Sequence, residues 1–462
     1  METPAYDLLV IGSGPAGQRA AIAAAKLRKR VAVVDRQNAL GGCSLHSGTI
    51  PSKTVREAVL YLTGFREKTF YGRSYAPKGH ISAQDLAFRV ETVVKRELDV
   101  IKSQLARNDV TVLDGCAGFA DPHTVEVNGG NGKVALAAEH IVIACGTRPA
   151  RDPSIPFDGK RVMDTDQLSA MGTIPKEAIV VGGGIIGLEY TSVLAALGAK
   201  VTLIEQRATL LDFVDREIVE ALSYHLRDLG TTFRLNEKVV SVSIDESRDR
   251  VIAKLESGKT VAGTFLLYAV GRQGNTDTLN LAAAGIEADK RGRIEVNEFF
   301  QTRVPHIYAV GDIIGFPALA STSMEQGRSA SCHAFGLPFR YSPDFLPYGI
   351  YTIPEISMVG KTEEQLTAAR VPYETGIARY AELAKGQMLG DETGMLKLLF
   401  DPGTLKLLGI HAIGDRAAEI IHIGQAVLAL GGTMEYLRDT VFNYPTLAEA
   451  YKVAALNGMN KL

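Results

Sequence analysis

Two stretches of the chain repeat one pattern of apolar and polar positions. In each, a short apolar run leads into a glycine-rich turn, a helical segment, and a second apolar run that ends at an acidic residue. The first stretch covers residues 6–35 and the second covers residues 178–205. Short apolar runs that alternate with helical segments are typical of β-α-β units with buried parallel strands. The pattern therefore predicts an α/β protein with two doubly wound units.

The turn of each unit has the glycine spacing G-x-G-x-x-G. The glycines are Gly12, Gly14 and Gly17 in the first unit and Gly182, Gly184 and Gly187 in the second. This spacing allows a tight turn and lets the backbone approach a pyrophosphate at the helix N-terminus. The acidic residues that end the second strands, Asp35 and Glu205, are placed to accept hydrogen bonds from a ribose. We interpret the two units as sites for two dinucleotides. The alternatives are that the first turn binds no ligand, and that one unit binds a dinucleotide while the other only repeats its structure.

Further along the chain, the periodicity predicts additional elements. Helical patterns cover residues 52–62, 83–107 and 417–430, and strand patterns cover residues 110–119, 123–127, 395–400 and 405–413. Asp401-Pro402-Gly403, between the last two runs, is a hairpin signal. The length of 462 residues suggests about three domains.

Composition and charge narrow the function classes. The chain is 46% apolar and 22% charged, as expected for a globular protein. Its formal charge of −2 gives no general attraction to nucleic acid or to an anionic membrane, and no apolar run is long enough to span a bilayer. The first residues lack the basic and apolar regions of a secretory signal, so we expect a cytoplasmic protein.

The cysteines and histidines predict neither disulfides nor a metal site. The four cysteines, Cys43, Cys116, Cys145 and Cys332, are spaced too widely for a disulfide framework or a zinc site. The scattered histidines have no metal-ligand spacing. We expect each cysteine to be a small buried apolar residue, and the alternative for Cys43 is a reactive thiol.

The stretch from Gly41 to Lys53 reads G-G-C-S-L-H-S-G-T-I-P-S-K. It resembles the redox helix of the FAD-dependent pyridine nucleotide-disulfide oxidoreductases, which carry two cysteines, C-x-x-x-x-C, just before I-P-S-K. Here the two cysteine positions are Ser44 and Thr49. Two hydroxyls cannot form a disulfide, so the resemblance implies a flavin site without thiol chemistry.

The resemblance extends over nearly the whole chain. Residues 141–149 are similar to the family's A-T-G-x-x-P element, with Cys145 in place of the usual Thr, and residues 302–312 are similar to its second FAD motif, which ends here at Asp312. The implied fold is α/β, glutathione-reductase-like, with two Rossmann-like domains for FAD and NAD(P) and a C-terminal α+β dimerisation domain. The implied boundaries are 1–150 and 271–338 for the FAD domain, 151–270 for the NAD(P) domain, and 339–462 for the dimerisation domain.

The C-terminal segment identifies a branch of this family. Disulfide reductases have a His-Pro pair there with a Glu five positions after the His, whereas this chain has Tyr444 at the His position and keeps Glu449. A tyrosine with a pKa of about 10 is a poor base at neutral pH, so the cysteines and their base are missing together. G-T-I-P-S-K combined with F-N-Y-P-T-L-A-E-A-Y resembles the soluble transhydrogenase branch. That branch often has Cys at the first redox position, where this chain has Ser44.

The resemblance implies a hydride relay between NADPH and NAD+, in which one nucleotide reduces the flavin and the other takes the hydride. The cofactors implied are FAD, NAD(H) and NADP(H). The alternatives are an NAD(P)H oxidase or diaphorase that reduces oxygen or quinones, and a redox-sensing or interaction protein that binds flavin without turnover. A homodimer or an assembly of dimers is implied, in which residues 444–449 complete the partner's flavin site.

The motifs and the resemblance together give the candidate site residues. For catalysis these are Lys53, Glu189, Tyr444 and Glu449, with Lys53 paired to Glu189 beside the flavin. For FAD they are Gly12, Gly14, Gly17, Asp35, Gly42, Thr49, Lys53, Gly146, Asp312, Leu319 and Ala320. For the nicotinamide nucleotides they are Gly182, Gly184, Gly187, Glu205, Arg207 and Gly271. Glu205 by itself indicates that the site binds NAD(H). Arg207 is expected to bind the 2′-phosphate of NADP(H) if Glu205 turns away. The alternative for Arg207 is a solvated loop arginine.

Overall fold

The computed structural model describes residues 5–36, 39–72, 74–130, 132–168, 171–339 and 341–462. Its strands are β1 (Ala5–Ile11), β2 (Val31–Asp35), β3 (Thr111–Asp114), β4 (Cys116–Asp121), β5 (Thr124–Gly129), β6 (Gly132–Ile143), β7 (Thr147–Pro149), β8 (Val162–Asp164), β9 (Glu177–Val181), β10 (Lys200–Glu205), β11 (Thr232–Leu235), β12 (Val239–Asp245), β13 (Arg250–Leu255), β14 (Thr260–Gly263), β15 (Phe265–Tyr268), β16 (Arg272–Gly274), β17 (Ile307–Ala309), β18 (Tyr348–Ile350), β19 (Ile356–Gly360), β20 (Glu374–Arg379), β21 (Met395–Phe400) and β22 (Leu407–Ile413). Its helices are α1 (Pro15–Lys26), α2 (Gly42–His46), α3 (Thr49–Leu62), α4 (Lys68–Tyr71), α5 (Ala83–Ala106), α6 (Ile185–Ala196), α7 (Arg216–Asp228), α8 (Ala320–Ala334), α9 (Glu363–Ala368), α10 (Ala384–Leu389), α11 (Ala417–Ala429), α12 (Met434–Asp439) and α13 (Glu449–Met459). Within the described ranges, we find no helix with both the length and the apolar character that a membrane span needs.

Seven strands form the sheet that contains the first β-α-β unit. Their order is β3-β2-β1-β6-β5-β4, and β17 also pairs with β6. Strands β1, β2, β3 and β17 run parallel to one another and to the C-terminal part of β6, whereas β5 pairs antiparallel with its N-terminal part. Residues 8–11 are all buried. Because a parallel sheet is covered on both faces, its strands need the continuous apolar run that the sequence has there.

Two long helices of this region lie where the sequence predicts helical segments, although α1 starts at Pro15 rather than at the predicted Gln18. Helix α1 begins at Pro15, which suits the first helical position because proline has no N–H to lose there. It packs against α8 so closely that a Cβ added to Gly327 would lie 2.0 Å from the carbonyl oxygen of Ala16. Helix α5 begins with a capping box in which Ser82 and Asp85 exchange side-chain and backbone hydrogen bonds. Both predicted helices are confirmed.

The second β-α-β unit lies in a separate parallel sheet. Its strand order is β11-β10-β9-β15-β8, and α6 connects β9 to β10. Residues 187–196 of α6 are all buried, which explains why this helix is apolar on every side. Strands β12, β13 and β14 form an antiparallel meander beside the unit.

A two-stranded ribbon of β7 and β16 lies between the segments that form these two sheets. The strands of the first sheet come from residues 5–143 and 307–309, and those of the second from residues 162–268. The domain boundaries expected at 150, 270 and 338 are consistent with this membership and stay predictions.

The C-terminal sheet is antiparallel, with the order β18-β19-β22-β21-β20. Strands β21 and β22 form the predicted hairpin, with Met395 opposite Ile413. Helices α11 and α13 pack against this sheet. The predicted strands and the predicted helix of this region are therefore confirmed.

Lys397 in β21 is a buried charge that ties the C-terminal sheet to the second unit. Its side chain is 1% exposed, and its ammonium lies 3.0 Å from Asp215 and 3.1 Å from Glu217 and also contacts Glu363. Burial opposes the charge, but these carboxylates outweigh it and raise the pKa of Lys397. Asp215 also caps the N-terminus of α7, so one buried ion cluster fixes a helix of the second unit against the C-terminal sheet.

Candidate functional site

A cavity of about 670 Å³ lies where the parallel strands of the first sheet end. Its walls come from the first glycine turn, from residues 42–49 and from residues 144–148, with further contributions from residues 310–323. Of the residues predicted to bind FAD, those that line it are Gly12, Gly14, Asp35, Gly42, Thr49, Gly146, Asp312 and Ala320. Gly17, Lys53 and Leu319 lie outside the lining.

Two of the three glycines of the first turn are required for packing, and the third leaves its backbone open to the cavity. Gly12 has φ +105°, and a Cβ there would lie 2.3 Å from the carbonyl oxygen of Ala144. A Cβ on Gly17 would lie 1.9 Å from the carbonyl oxygen of Gly12, so both positions require glycine for packing. A Cβ on Gly14 would have no described atom within 4 Å. Gly14 therefore presents open backbone to the cavity, where a ligand can approach.

The second turn repeats this geometry. Gly182 has φ +107°, and a Cβ there would lie 2.5 Å from the carbonyl oxygen of Ala269, while one on Gly187 would lie 1.9 Å from Gly182. Gly184 is open, with no described atom within 4 Å of its ideal Cβ. Helices α1 and α6 both begin without a side-chain cap. Their first N–H groups are therefore available to the phosphates of a dinucleotide, which fits both predicted sites.

Asp35 is held at the end of β2 by hydrogen bonds that the sequence did not reveal. One carboxylate oxygen accepts the Ser13 backbone N–H at 2.7 Å and also the Ser13 hydroxyl, and the other accepts the Arg36 N–H at 2.7 Å. The Ser13 hydroxyl oxygen in turn accepts the Gly41 N–H at 3.0 Å. Ser13 thereby fixes both the acid and the start of the Gly41–Lys53 stretch.

The Gly41–Lys53 stretch forms α2 and the first turn of α3, with a break at residues 47–48. Gly42 has φ +62°, and its ideal Cβ would lie 2.9 Å from Gly14, so this stretch packs directly on the first turn. Ser44 and Thr49 both line the cavity, and the Ser44 hydroxyl donates to the Gly41 carbonyl at 3.2 Å. The two redox positions of the family thus lie at the cavity as hydroxyls.

The predicted pair of Lys53 and Glu189 is present. The Lys53 ammonium lies 2.6 Å from Glu189 Oε2, and Glu189 Oε1 accepts the Tyr351 backbone N–H at 2.9 Å. The same ammonium lies 4.9 Å from the centre of the Tyr351 ring. The pair therefore joins α3 to α6 and to a residue of the C-terminal region, and Tyr351 holds both partners in place.

Arg272 is a residue of this region that the sequence analysis missed. Its guanidinium donates to the Thr147 hydroxyl at 2.7 Å and to Asp166 at 3.2 Å, and lies 3.3 Å from the Cys43 sulfur. The Thr147 hydroxyl donates to Asp312 at 3.2 Å. Burial raises the pKa of Asp312, although the charge of Arg272 opposes this. The one signal in the sequence was that Arg272 follows Gly271, a predicted nucleotide residue with φ +100°.

At the end of β10, Glu205 and Arg207 are bound to each other. The Glu205 carboxylate accepts the Gly183 N–H at 2.6 Å and the Arg207 N–H at 2.9 Å, and the Arg207 guanidinium donates to it at 3.2 and 3.3 Å. Burial opposes ionisation, but the hydrogen bonds from Arg207 and Gly183 outweigh it and lower the pKa of Glu205. Two backbone N–H groups hold the carboxylate, so Glu205 is not turned away here, and the role predicted for Arg207 stays a prediction.

Tyr444 and Glu449 do not reach the cavity of their own chain. Neither lines it; Tyr444 is 72% exposed, and Glu449 is the first residue of α13. Glu449 Oε2 is buried and has no hydrogen-bond partner among the described residues. The roles predicted for these two residues, in the flavin site of a partner, stay predictions.

Comparison with known proteins gives one consistent family. A family model described as pyridine nucleotide-disulphide oxidoreductase matches residues 6–327, and the model of that family's dimerisation domain matches residues 346–455. Soluble pyridine nucleotide transhydrogenase of Mycobacterium bovis is 53% identical over 459 residues, which cover 99% of this chain and 98% of that protein. The protein of the same name from Chromohalobacter salexigens is 46% identical over 461 residues and 99% of each chain.

Solved structures share the fold over the whole length. LpdA from Mycobacterium tuberculosis has a TM-score of 0.90 and 26% identity, over 98% of this chain and 99% of that one. The HOCl-induced flavoprotein disulfide reductase RclA from Escherichia coli has a TM-score of 0.87 and 28% identity, with the same coverage. The predicted glutathione-reductase-like architecture is thereby confirmed.

The thiol of Cys43 should be unreactive at neutral pH, although it lies at the cavity. Burial raises its pKa, despite the opposing charge of Arg272, so thiolate should form only above the ordinary value of about 9. Cys332 is buried as expected, but Cys116 is exposed, so the expectation that each cysteine is buried is wrong for Cys116. We expect iodoacetamide to label Cys43 more slowly than Cys116 between about pH 7 and 9, with labelling that rises at higher pH. Mass spectrometry of labelled peptides measures this, and faster labelling of Cys43 at pH 7 would contradict it.

Proposed function

The chain belongs to the pyridine nucleotide-disulphide oxidoreductase family, and we propose that it catalyses FAD-dependent hydride transfer between NADPH and NAD+. One observation carries this proposal. The chain keeps two nucleotide turns of the same geometry and the Lys53–Glu189 pair, while both redox positions at the cavity, Ser44 and Thr49, are hydroxyls. Relatives named soluble pyridine nucleotide transhydrogenase support it at 46–53% identity over the full chain.

FAD, when bound, supplies the hydride chemistry, because it can accept a hydride from one nicotinamide nucleotide and return it to another. In our proposal the open backbone of Gly14 and the N–H groups of α1 hold its pyrophosphate, Asp35 holds the adenosine ribose, and Asp312 holds the ribitol. By the same resemblance, Leu319 and Ala320 would lie near its pyrimidine ring. These assignments rest on the resemblance, and the cavity lining supports most of them.

The chain's own contribution at the reacting ring is a fixed positive charge. Lys53 is held by Glu189 and by the ring of Tyr351, so its ammonium does not need to reorganise during the reaction. By the resemblance its ammonium would lie beside the flavin ring, although Lys53 does not itself line the cavity, and there it would offer positive charge as the ring gains electrons. Glu189 orients this lysine, and Tyr351 orients Glu189 through its backbone N–H.

Anaerobic turnover tests the proposed activity. Under argon, the purified flavoprotein should transfer hydride from NADPH to a spectrally resolvable NAD+ analogue, because no step requires oxygen. Cys43→Ala should retain this activity, since the thiol takes no part in the reaction. Lipoamide reduction should be absent, because Ser44, Thr49 and Tyr444 replace the groups that disulfide reduction requires.

Three outcomes of these measurements would contradict the proposal or the interpretation behind it. Absence of anaerobic transfer, combined with NADH or NADPH oxidation in air, would favour an oxidase or diaphorase. Failure of both nucleotides to bleach the bound flavin would favour a binding protein without turnover. Robust lipoamide reduction would overturn the interpretation of the hydroxyl positions.

Nucleotide choice is predicted to depend on Glu205 and Arg207. The Glu205 carboxylate is fixed toward the second turn, where it can accept a ribose 2′-hydroxyl, so we expect NAD(H) to bind more tightly than NADP(H). For NADP(H), Arg207 must leave Glu205 and bind the 2′-phosphate. Arg207→Ala should then weaken NADPH binding by about 1–3 kcal/mol and spare NADH, and Glu205→Ala should do the reverse.

Rates of flavin reduction at varied concentrations of each nucleotide measure both variants. Equal weakening of NADH and NADPH by Arg207→Ala would show that Arg207 does not bind the phosphate. A wild-type protein that never reacts with NADPH would remove the transhydrogenase assignment itself.

We further propose a homodimer, or an assembly of dimers, in the cytoplasm. The match to the dimerisation model over residues 346–455 supports pairing. The C-terminal region also exposes several large apolar side chains, namely Leu430, Tyr436, Val441, Tyr444 and Leu456. A partner chain would cover such a surface, and it would bring Tyr444 and the unpaired oxygen of Glu449 to a second cavity.

Light scattering on the flavin-loaded protein should give at least twice the mass of the 49.6 kDa chain. Val441→Glu, which places a charge on this surface, should shift the mass toward one chain and lower the activity together with it. A fully active single chain would contradict the shared site. Cell fractionation tests the location.

A further inference from the structure

Arg207 is held by two carboxylates rather than one. Its Nε and Nη2 atoms donate to Glu205, and its Nη1 atom lies 3.5 Å from Asp212 Oδ1. Neither the motifs nor the resemblance assigns any role to Asp212. The two carboxylates share one guanidinium, so a phosphate that is to bind this guanidinium must compete with both.

Hydrogen bonds anchor the backbone at residues 205–207, whereas the Arg207 side chain is partly exposed. Glu205 is anchored by the N–H groups of Gly183 and Arg207. The Arg207 carbonyl accepts the Asn236 N–H at 3.1 Å, which anchors the residue itself. Arg207 is 42% exposed at its side chain, so its guanidinium can leave both carboxylates without a change in the strand.

Asp212 lies on a loop that packing holds in place. Leu210, Leu211 and Val214 around it are buried. The ring of Phe213 packs against Phe316 and Tyr348, with centroid distances of 6.1 and 5.5 Å. The Asp212 carboxylate is 61% exposed at the end of this anchored loop, so it stays close to Arg207 without being buried.

We propose that Asp212 is a specificity-determining residue, which competes with the 2′-phosphate of NADP(H) for the Arg207 guanidinium. This inference rests on the proposed function, in which both nucleotides use this site. With NAD(H), Arg207 stays on Glu205 and Asp212, and Glu205 accepts the ribose hydroxyl. With NADP(H), Arg207 gives up both ion pairs, so removal of Asp212 should favour the phosphorylated nucleotide alone.

The test uses two probes that bind the site without hydride transfer, ADP-ribose and its 2′-phosphate. Calorimetry on the flavin-loaded protein should show that Asp212→Asn lowers the Kd of the 2′-phosphate by about 2- to 5-fold, the range expected when a partly exposed ion pair is lost. The Kd of ADP-ribose should stay unchanged. Glu220→Gln is the matched control, because it removes an exposed carboxylate of the same unit that pairs with Arg216 instead, and neither Kd should change.

The Arg207→Ala background decides whether Asp212 acts through Arg207. There, Asp212→Asn should have almost no effect on the 2′-phosphate, because no guanidinium is left to compete for. The same gain in both backgrounds would overturn the proposal, since it would show direct repulsion of the phosphate. Equal gains for both probes, or no gain for either, would also overturn it.

These binding measurements test the role of Asp212 independently of the hydride-transfer activity. Loss of anaerobic hydride transfer alone would leave the Asp212 result standing. If neither the wild type nor Asp212→Asn binds the 2′-phosphate while both bind ADP-ribose, the inference fails. Thermal unfolding of each variant, with equal midpoints expected, confirms that a changed Kd reflects the site.

Discussion

Lys53 and Glu189 lie 136 positions apart in the chain, yet their charged atoms are 2.6 Å apart. Glu189 is almost fully buried, and a buried carboxylate is stable only when its charge and its hydrogen-bonding oxygens are satisfied. Lys53 supplies the charge from α3, and the Tyr351 N–H supplies the second hydrogen bond. The first sheet's helices, the second unit and the C-terminal region are therefore linked through one carboxylate.

The two nucleotide turns have nearly the same backbone, but their acidic residues have different surroundings. Each acid accepts a backbone N–H from its own turn, from Ser13 for Asp35 and from Gly183 for Glu205, but the side-chain donor to Asp35 is the Ser13 hydroxyl. Glu205 accepts hydrogen bonds from Arg207, whose side chain is partly exposed. An exposed ion partner can exchange with a ligand at small cost. In the proposed function, the second site would exchange its dinucleotide, and an exposed Arg207 would allow this.

Most of the fold could be predicted from local pattern, and the candidate site only in part. The strand, turn, helix and strand of both units and the hairpin at residues 395–413 were found, because apolar periodicity and glycine spacing are properties of adjacent residues. Arg272, Ser13 and Asp212 were missed. Their roles depend on contacts with residues far away or on loop geometry, and no spacing along the chain records such contacts. Element ends also shifted by a few residues, because residues at the helix start, such as the N-cap Gly14 and Pro15 after it, define them.

The sequence by itself determined the two nucleotide turns, the acids that follow them, and the replacement of both redox cysteines by hydroxyls. These follow from residue identity, since a hydroxyl cannot form a disulfide and only glycine tolerates the close backbone approach at Gly12 and Gly17. The tertiary structure alone decided that Glu205 is locked in place while Arg207 is shared with Asp212. The physical reason is that charge pairing depends on distance and burial, which exist only once separate segments of the chain have packed together.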